Sequence, residues 1–93
     1  MESQGKKPPE SPIEIYFSTF IYSLGSAALI ALGASPNPTT GKTEKNLDLA
    51  RQNIDLLALL KEKTKGNLTP EEQTLIDNLL YDLRLRYVEE VSP

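Results

Sequence analysis

Residues 64–72 constrain the fold more than any other stretch, because they combine the end of one helix with the start of another. Gly66 supplies the left-handed residue that commonly closes a helix. Thr69 suits a helix cap, Pro70 suits the first turn, and Glu72 stands three residues after the cap, as a capping box requires. Leucine-rich segments lie on both sides. The sequence therefore predicts two helices that pack against each other as a hairpin.

A second capping box predicts where the first helix begins. Ser11 is followed by Pro12 and then, three residues after the serine, by Glu14. No segment keeps a strict two-residue alternation for long, so no strand competes with the helices. We predict an all-α fold in which residues 1–10 are a disordered leader and residues 11–93 form a single three-helix domain. The predicted boundaries are about 12–33, 44–65 and 70–91 for the helices, and 34–43 for a linker that contains proline and glycine.

The composition narrows the classes of function. The 93 residues carry a net charge of -3, whereas phosphate-backbone binding needs clustered Lys and Arg, so nucleic acid is not an expected partner. Cysteine and histidine are both absent, which excludes disulfides, zinc–thiolate sites, cysteine nucleophiles and the imidazole that most often acts as general base. We predict no catalytic, cofactor or metal site. A small enzyme with a carboxylate or Ser/Lys site is the less favoured alternative.

The linker contains a stretch that imitates a phosphate-binding loop. Its sequence, Thr40-Gly41-Lys42-Thr43, matches the end of that motif. The motif also needs glycine where Pro36 stands and a strand before the loop. Nucleotide binding is therefore not predicted.

The first helix lacks charge. No charged residue occurs between Glu14 and Lys42, although a helix that faces water ordinarily carries Lys or Glu on its outer side. We expect this helix to be buried, either inside the domain or in an oligomer. A membrane span or signal segment is a second interpretation, because Lys6 and Lys7 precede the helix, and a helix lying on a membrane surface is a third. The alternative function is accordingly a membrane-associated accessory protein anchored by the first helix.

The second helix carries asparagine inside its apolar arc. Thr43 or Thr40 is expected to cap this helix, and Asn46 can also satisfy donors of its first turn. Asn53 is the candidate buried polar residue. An unpaired buried amide costs about 1–3 kcal/mol. Asn53 is therefore expected to form a hydrogen bond with Ser or Thr of the first helix, or with Asn53 of a second copy in a dimer. The alternative is a position at the edge of the arc that water reaches.

The third helix carries two apolar stripes. Its main stripe, centred on Leu80, is expected to face Leu57 of the second helix, and the other stripe lies on roughly the opposite side. Two stripes indicate a helix held between two partners, which predicts a homodimer or other homo-oligomer that completes the domain. The alternatives are scattered surface apolar residues and a monomer that keeps this surface for a different protein. The candidate interface consists of Phe17, Phe20, Leu24, Tyr81, Leu85 and Val88.

A set of residues spread along the chain carries a family pattern, whose more specific part lies within residues 54–68. It consists of Phe17, Phe20, Ser23-Leu24, Leu32-Gly33, Asn46-Leu47, Ile54-Asp55-Leu56-Leu57, Lys63-Thr64-Lys65-Gly66-Asn67-Leu68, Leu83-Arg84 and Tyr87-Val88. In these residues the chain resembles the small bacterial proteins grouped as domain of unknown function 1844. The resemblance implies a short cytoplasmic protein without an assigned activity, and it supplies no catalytic residues. The sequence as a whole favours a non-enzymatic helical interaction or assembly module.

Overall fold

The computed structural model describes residues 16–92, which form α1 (Phe17–Ala31), α2 (Leu47–Lys63) and α3 (Pro70–Val91). No strand occurs within that range. The all-α, three-helix prediction is therefore confirmed, and completion of the domain by a second copy stays a prediction. The predicted leader over 1–10 and the capping box at Ser11 lie outside the described residues.

The first helix is shorter than predicted at both ends. It begins at Phe17, because Tyr16 has extended backbone angles of φ -117° and ψ 145° and is not helical. It ends at Ala31, and Gly33 then adopts φ 80°. A Cβ on Gly33 would also lie 2.7 Å from Lys45 Cγ, so both the backbone angle and the neighbouring side chain favour glycine there.

The second helix begins at Leu47, and the prediction of a start near residue 44 with Thr43 or Thr40 as the cap is wrong. Asn46 is the cap, and its Oδ1 accepts the Leu49 N–H at 3.1 Å. The Asn46 N–H donates to the Ala31 carbonyl at 2.8 Å. That bond ties the start of α2 to the end of α1, and a local sequence pattern does not reveal such a contact between distant residues.

The turn between α2 and α3 follows the predicted scheme. Lys63 is the last residue of α2, which therefore ends before the predicted boundary near 65, and Gly66 adopts φ 85°. The Thr69 Oγ1 accepts the Glu72 N–H at 3.1 Å, while Glu72 Oε1 accepts the Thr69 N–H at 2.9 Å. Both bonds of the capping box are therefore formed, and α3 has the predicted bounds.

The three helices enclose one apolar core. Helices α2 and α3 run antiparallel, because Lys45 just before α2 pairs with Glu90 near the end of α3, while Lys61 near the end of α2 pairs with Asp77. Helix α1 packs on both of them and approaches α3 closely at Gly25. The largest fully buried side chains belong to Ile21, Leu32, Leu57, Ile76 and Leu83.

Candidate interaction surfaces

The six candidate interface residues divide into two groups by burial. Phe17 and Leu24 are partly buried and pack against the core, so each exposes a smaller fraction of its surface than the other four residues do. Phe20 is 48% exposed on α1. On α3, Tyr81, Leu85 and Val88 are 73%, 48% and 55% exposed, and we call these three residues the α3 row.

Phe20 and the α3 row lie on opposite flanks of α2. A depression between α1 and α2 includes Ala27 and Leu49, and Phe20 is seven residues, or about two turns, before Ala27. The groove between α2 and α3 includes Arg51 and Val88. Successive helical residues are about 100° apart, so Leu49 and Arg51 point about 160° away from each other. The structure therefore does not bring Phe20 together with the α3 row.

Helix α2 also carries exposed leucines that the sequence interpretation did not assign to an interface. Leu49, Leu56 and Leu59 are 40–51% exposed. Leu49 and Leu56 are seven residues apart and so share one flank of the helix. The seven-residue spacing could have indicated this exposed row in the sequence. Neighbouring buried positions of α2 are also leucine, however, so the exposed leucines do not stand out from them.

Asn53 is buried, with 8% of its surface exposed. Its Nδ2 donates to the Leu49 carbonyl of its own helix at 3.1 Å. The predicted bond to Ser or Thr of α1 is therefore replaced by a bond one turn back along α2. A side chain as short as asparagine reaches that carbonyl without help from another helix. The predicted contact with a second copy stays a prediction.

The ion pair between Lys61 and Asp77 joins α2 to α3 near the hairpin turn. The Lys61 Nζ lies 2.7 Å from Asp77 Oδ1, and the Gln73 amide donates to the same oxygen at 3.2 Å. The hydrogen bond from Lys61, supported by that from Gln73 and by the lysine charge, holds the pKa of Asp77 below its ordinary value. Asp77 is therefore an ionised link between two helices near neutral pH.

The lowered pKa of Asp77 predicts a pH-dependent contribution to stability. It is present above the unfolded-state pKa, about 3.9, and is lost as the pH falls through the lower folded-state pKa. Lys61→Met should raise the pKa of Asp77, measured by NMR titration of its carboxyl carbon. The stability deficit of this variant should be largest near neutral pH and shrink in acid. Lys63→Met, in the same helical turn, is the control and should leave the Asp77 pKa unchanged; equal shifts would contradict the assignment.

The acidic side chains and the loop over 36–43 bear on metal and phosphate binding by the described residues. Within residues 16–92 no three Asp or Glu side chains come together in a way that holds a metal ion. In the loop that imitates a phosphate-binding motif, the N–H groups of Thr39, Gly41 and Lys42 already donate to Asn37 or Thr40. Those donors are therefore not available to cradle a phosphate, and the next helix begins only at Leu47.

Helix α1 is too short for the alternative interpretation as a membrane span. Its 15 residues extend for about 22 Å, whereas the hydrocarbon core of a bilayer is about 30 Å thick. Among residues 16–92 there is no helix with the length and apolarity to cross a membrane. The alternative of a membrane anchor formed by this helix as a span is therefore not supported.

Fold and surface together define the class of protein: a small domain built from a helical hairpin and one further helix, with apolar rows left exposed on two flanks. The family model described as Domain of unknown function (DUF1844) matches residues 14–89, and the chain belongs to this family. The resemblance seen in the sequence is thereby confirmed. No curated protein and no solved structure matches the chain.

Proposed function

We propose that the protein is a non-enzymatic helical interaction and assembly module that associates with a second copy of itself. The α3 row carries the proposal. Its three residues follow one another at spacings of four and three along one side of a helix whose other side forms the core. Contiguous exposed apolar patches on soluble proteins commonly mark interaction sites, and two-fold dimers are the commonest closed assembly.

The physical reason is the cost of leaving this row in water. Burying apolar surface contributes about 25 cal/mol per Å², so two large aliphatic side chains and one tyrosine are a substantial driving force for association. The tyrosine suits an interface because its ring is apolar while its hydroxyl can stay hydrated at the rim. A cytoplasmic location belongs to the same proposal and rests on the family resemblance.

Sedimentation equilibrium of the full chain at micromolar concentration tests the proposal. The chain weighs 10.3 kDa, and we expect the fitted mass to rise towards twice that value with concentration. A mass of one chain over the whole concentration range would rule out self-association.

Two substitutions at equally exposed positions show which surface forms the dimer interface. Leu85 and Phe20 are each 48% exposed, but they lie on opposite flanks of α2. Leu85→Asp should reduce the mass to that of one chain, because association would bury an unpaired carboxylate. Phe20→Asp should leave the dimer intact, and circular dichroism verifies that both variants are folded. Dissociation by Phe20→Asp alone would place the interface on the α1–α2 flank.

A further inference from the structure

We infer that two copies pair through α3 in parallel, with Arg84 of each copy against Glu89 of the other; this inference rests on the proposed self-association. The first observation is the length of the exposed seam. The α3 row belongs to a longer series in which spacings of four and three alternate, the spacing of a two-stranded coiled coil. The seam consists of six exposed residues: Thr74, Asn78, Tyr81, Leu85, Val88 and Ser92.

The charged residues on either side of this seam differ in whether they form a salt bridge within the chain. Asp77 pairs with Lys61 of α2, and Asp82 pairs with Arg86 one turn along α3. Arg84 and Glu89, which flank the seam on opposite sides, take part in none of the salt bridges between described residues. Of the four charged residues that flank the seam, the two outside the salt bridges of the described residues are thus one positive and one negative.

In a parallel pair of α3 helices, Arg84 and Glu89 both gain a partner of opposite charge. In a parallel coiled coil, a residue on one side of the seam meets the residue five positions later on the opposite side of the partner's seam. Arg84 of one copy then meets Glu89 of the other, and the two-fold axis repeats the contact. The aspartates that would approach each other, Asp77 and Asp82, are each neutralised within their own chain. The charge pattern is therefore complementary to itself in this orientation.

An antiparallel pair opposes like charges. In the antiparallel register that pairs all six seam residues, Tyr81 of one copy faces Leu85 of the other. In that register Arg84 meets Arg84 of the other copy, and neither arginine has a salt bridge to a described residue of its own chain that would offset the repulsion. Juxtaposed like charges disfavour an arrangement, so the charges select the parallel orientation.

Charge exchange tests the paired contacts. Arg84→Glu and Glu89→Arg should each weaken homodimer formation about tenfold in dissociation constant, because each change turns two attractive contacts into repulsive ones. An equimolar mixture of the two variants should restore association, since the mixed dimer regains opposite charges at both contacts. One variant carries a fluorophore, so that sedimentation detects the mixed species. Lys65→Glu, an exposed lysine in the hairpin turn, is the control and should behave as the unsubstituted chain.

Disulfide formation tests the orientation. The chain has no cysteine, so a single introduced cysteine can bond only to its equivalent in a second copy. Thr74→Cys should form a disulfide-linked dimer under mild oxidation, because equivalent seam positions of parallel helices lie within the Cα separation that a disulfide allows. In the antiparallel register two copies of position 74 would be about 27 Å apart and could not bond. Gln52→Cys, on the exposed face of α2, is the control.

The outcomes separate this inference from the proposed function. A chain that stays monomeric overturns both. A dimer that dissociates with Leu85→Asp, yet does not respond to charge exchange or does not form the disulfide through Thr74→Cys, retains self-association and overturns the parallel arrangement.

Discussion

Leu57→Ala is expected to lower the free energy of unfolding by about 2–5 kcal/mol, measured by urea denaturation followed by circular dichroism. Leu57 has no exposed surface and belongs to the core that joins all three helices. Truncation removes three carbon atoms from this site, and the loss combines their transfer free energy with the cost of the cavity left behind. The spread in the expected value reflects how far the neighbouring side chains can close that cavity.

Leu59→Ala provides the matched control for this prediction. Leu59 lies on the same helix, undergoes the same chemical change and is 51% exposed. Its truncation should change stability by less than roughly 0.5 kcal/mol, as for other surface substitutions. Similar losses at the two positions would mean that the face of α2 that forms the core has been misassigned.

The sequence was sufficient for the hairpin because its signals are local. Gly66, Thr69 and Glu72 act on backbone groups within a few residues of themselves, and the bounds of α3 agree with the structure. The start of α2 could not be obtained in this way. Thr43 and Asn46 are both chemically suitable caps, and the choice depends on a hydrogen bond to Ala31, a residue on another helix.

The candidate surfaces show the same division between local and long-range information. Spacing along α3 was enough to separate the α3 row from the buried stripe around Leu80, because both are properties of one helix. Spacing could not show that Phe17 and Leu24 pack against the core while Phe20 remains exposed. That distinction depends on the directions from which α2 and α3 approach α1. Which rows share a surface is therefore a result of helix arrangement, not of periodicity.

Gly25→Leu is expected to reduce stability by about 2 kcal/mol net, the second large effect that the packing predicts. A Cβ on Gly25 would lie 3.3 Å from Leu79 Cδ2, so a larger side chain meets α3 directly. Overpacking a closed site costs about 1–3 kcal/mol, and four added carbon atoms favour the upper end. Replacing glycine in a helix interior stabilises the helix by about 1 kcal/mol, which offsets part of that cost. Ser26→Leu, on the exposed side of α1, is the control and should not be destabilised.

A double substitution distinguishes steric overlap from a general defect in α1. Leu79→Ala alone should destabilise the protein, because its side chain packs against the core. If Gly25→Leu acts by colliding with Leu79, the combined variant should be more stable than the sum of the two single losses predicts, by at least about 1 kcal/mol. Strictly additive losses would mean that the added side chain disturbs something other than the α1–α3 contact. Coupling would instead establish that contact with Leu79 limits the size of the side chain that position 25 accepts.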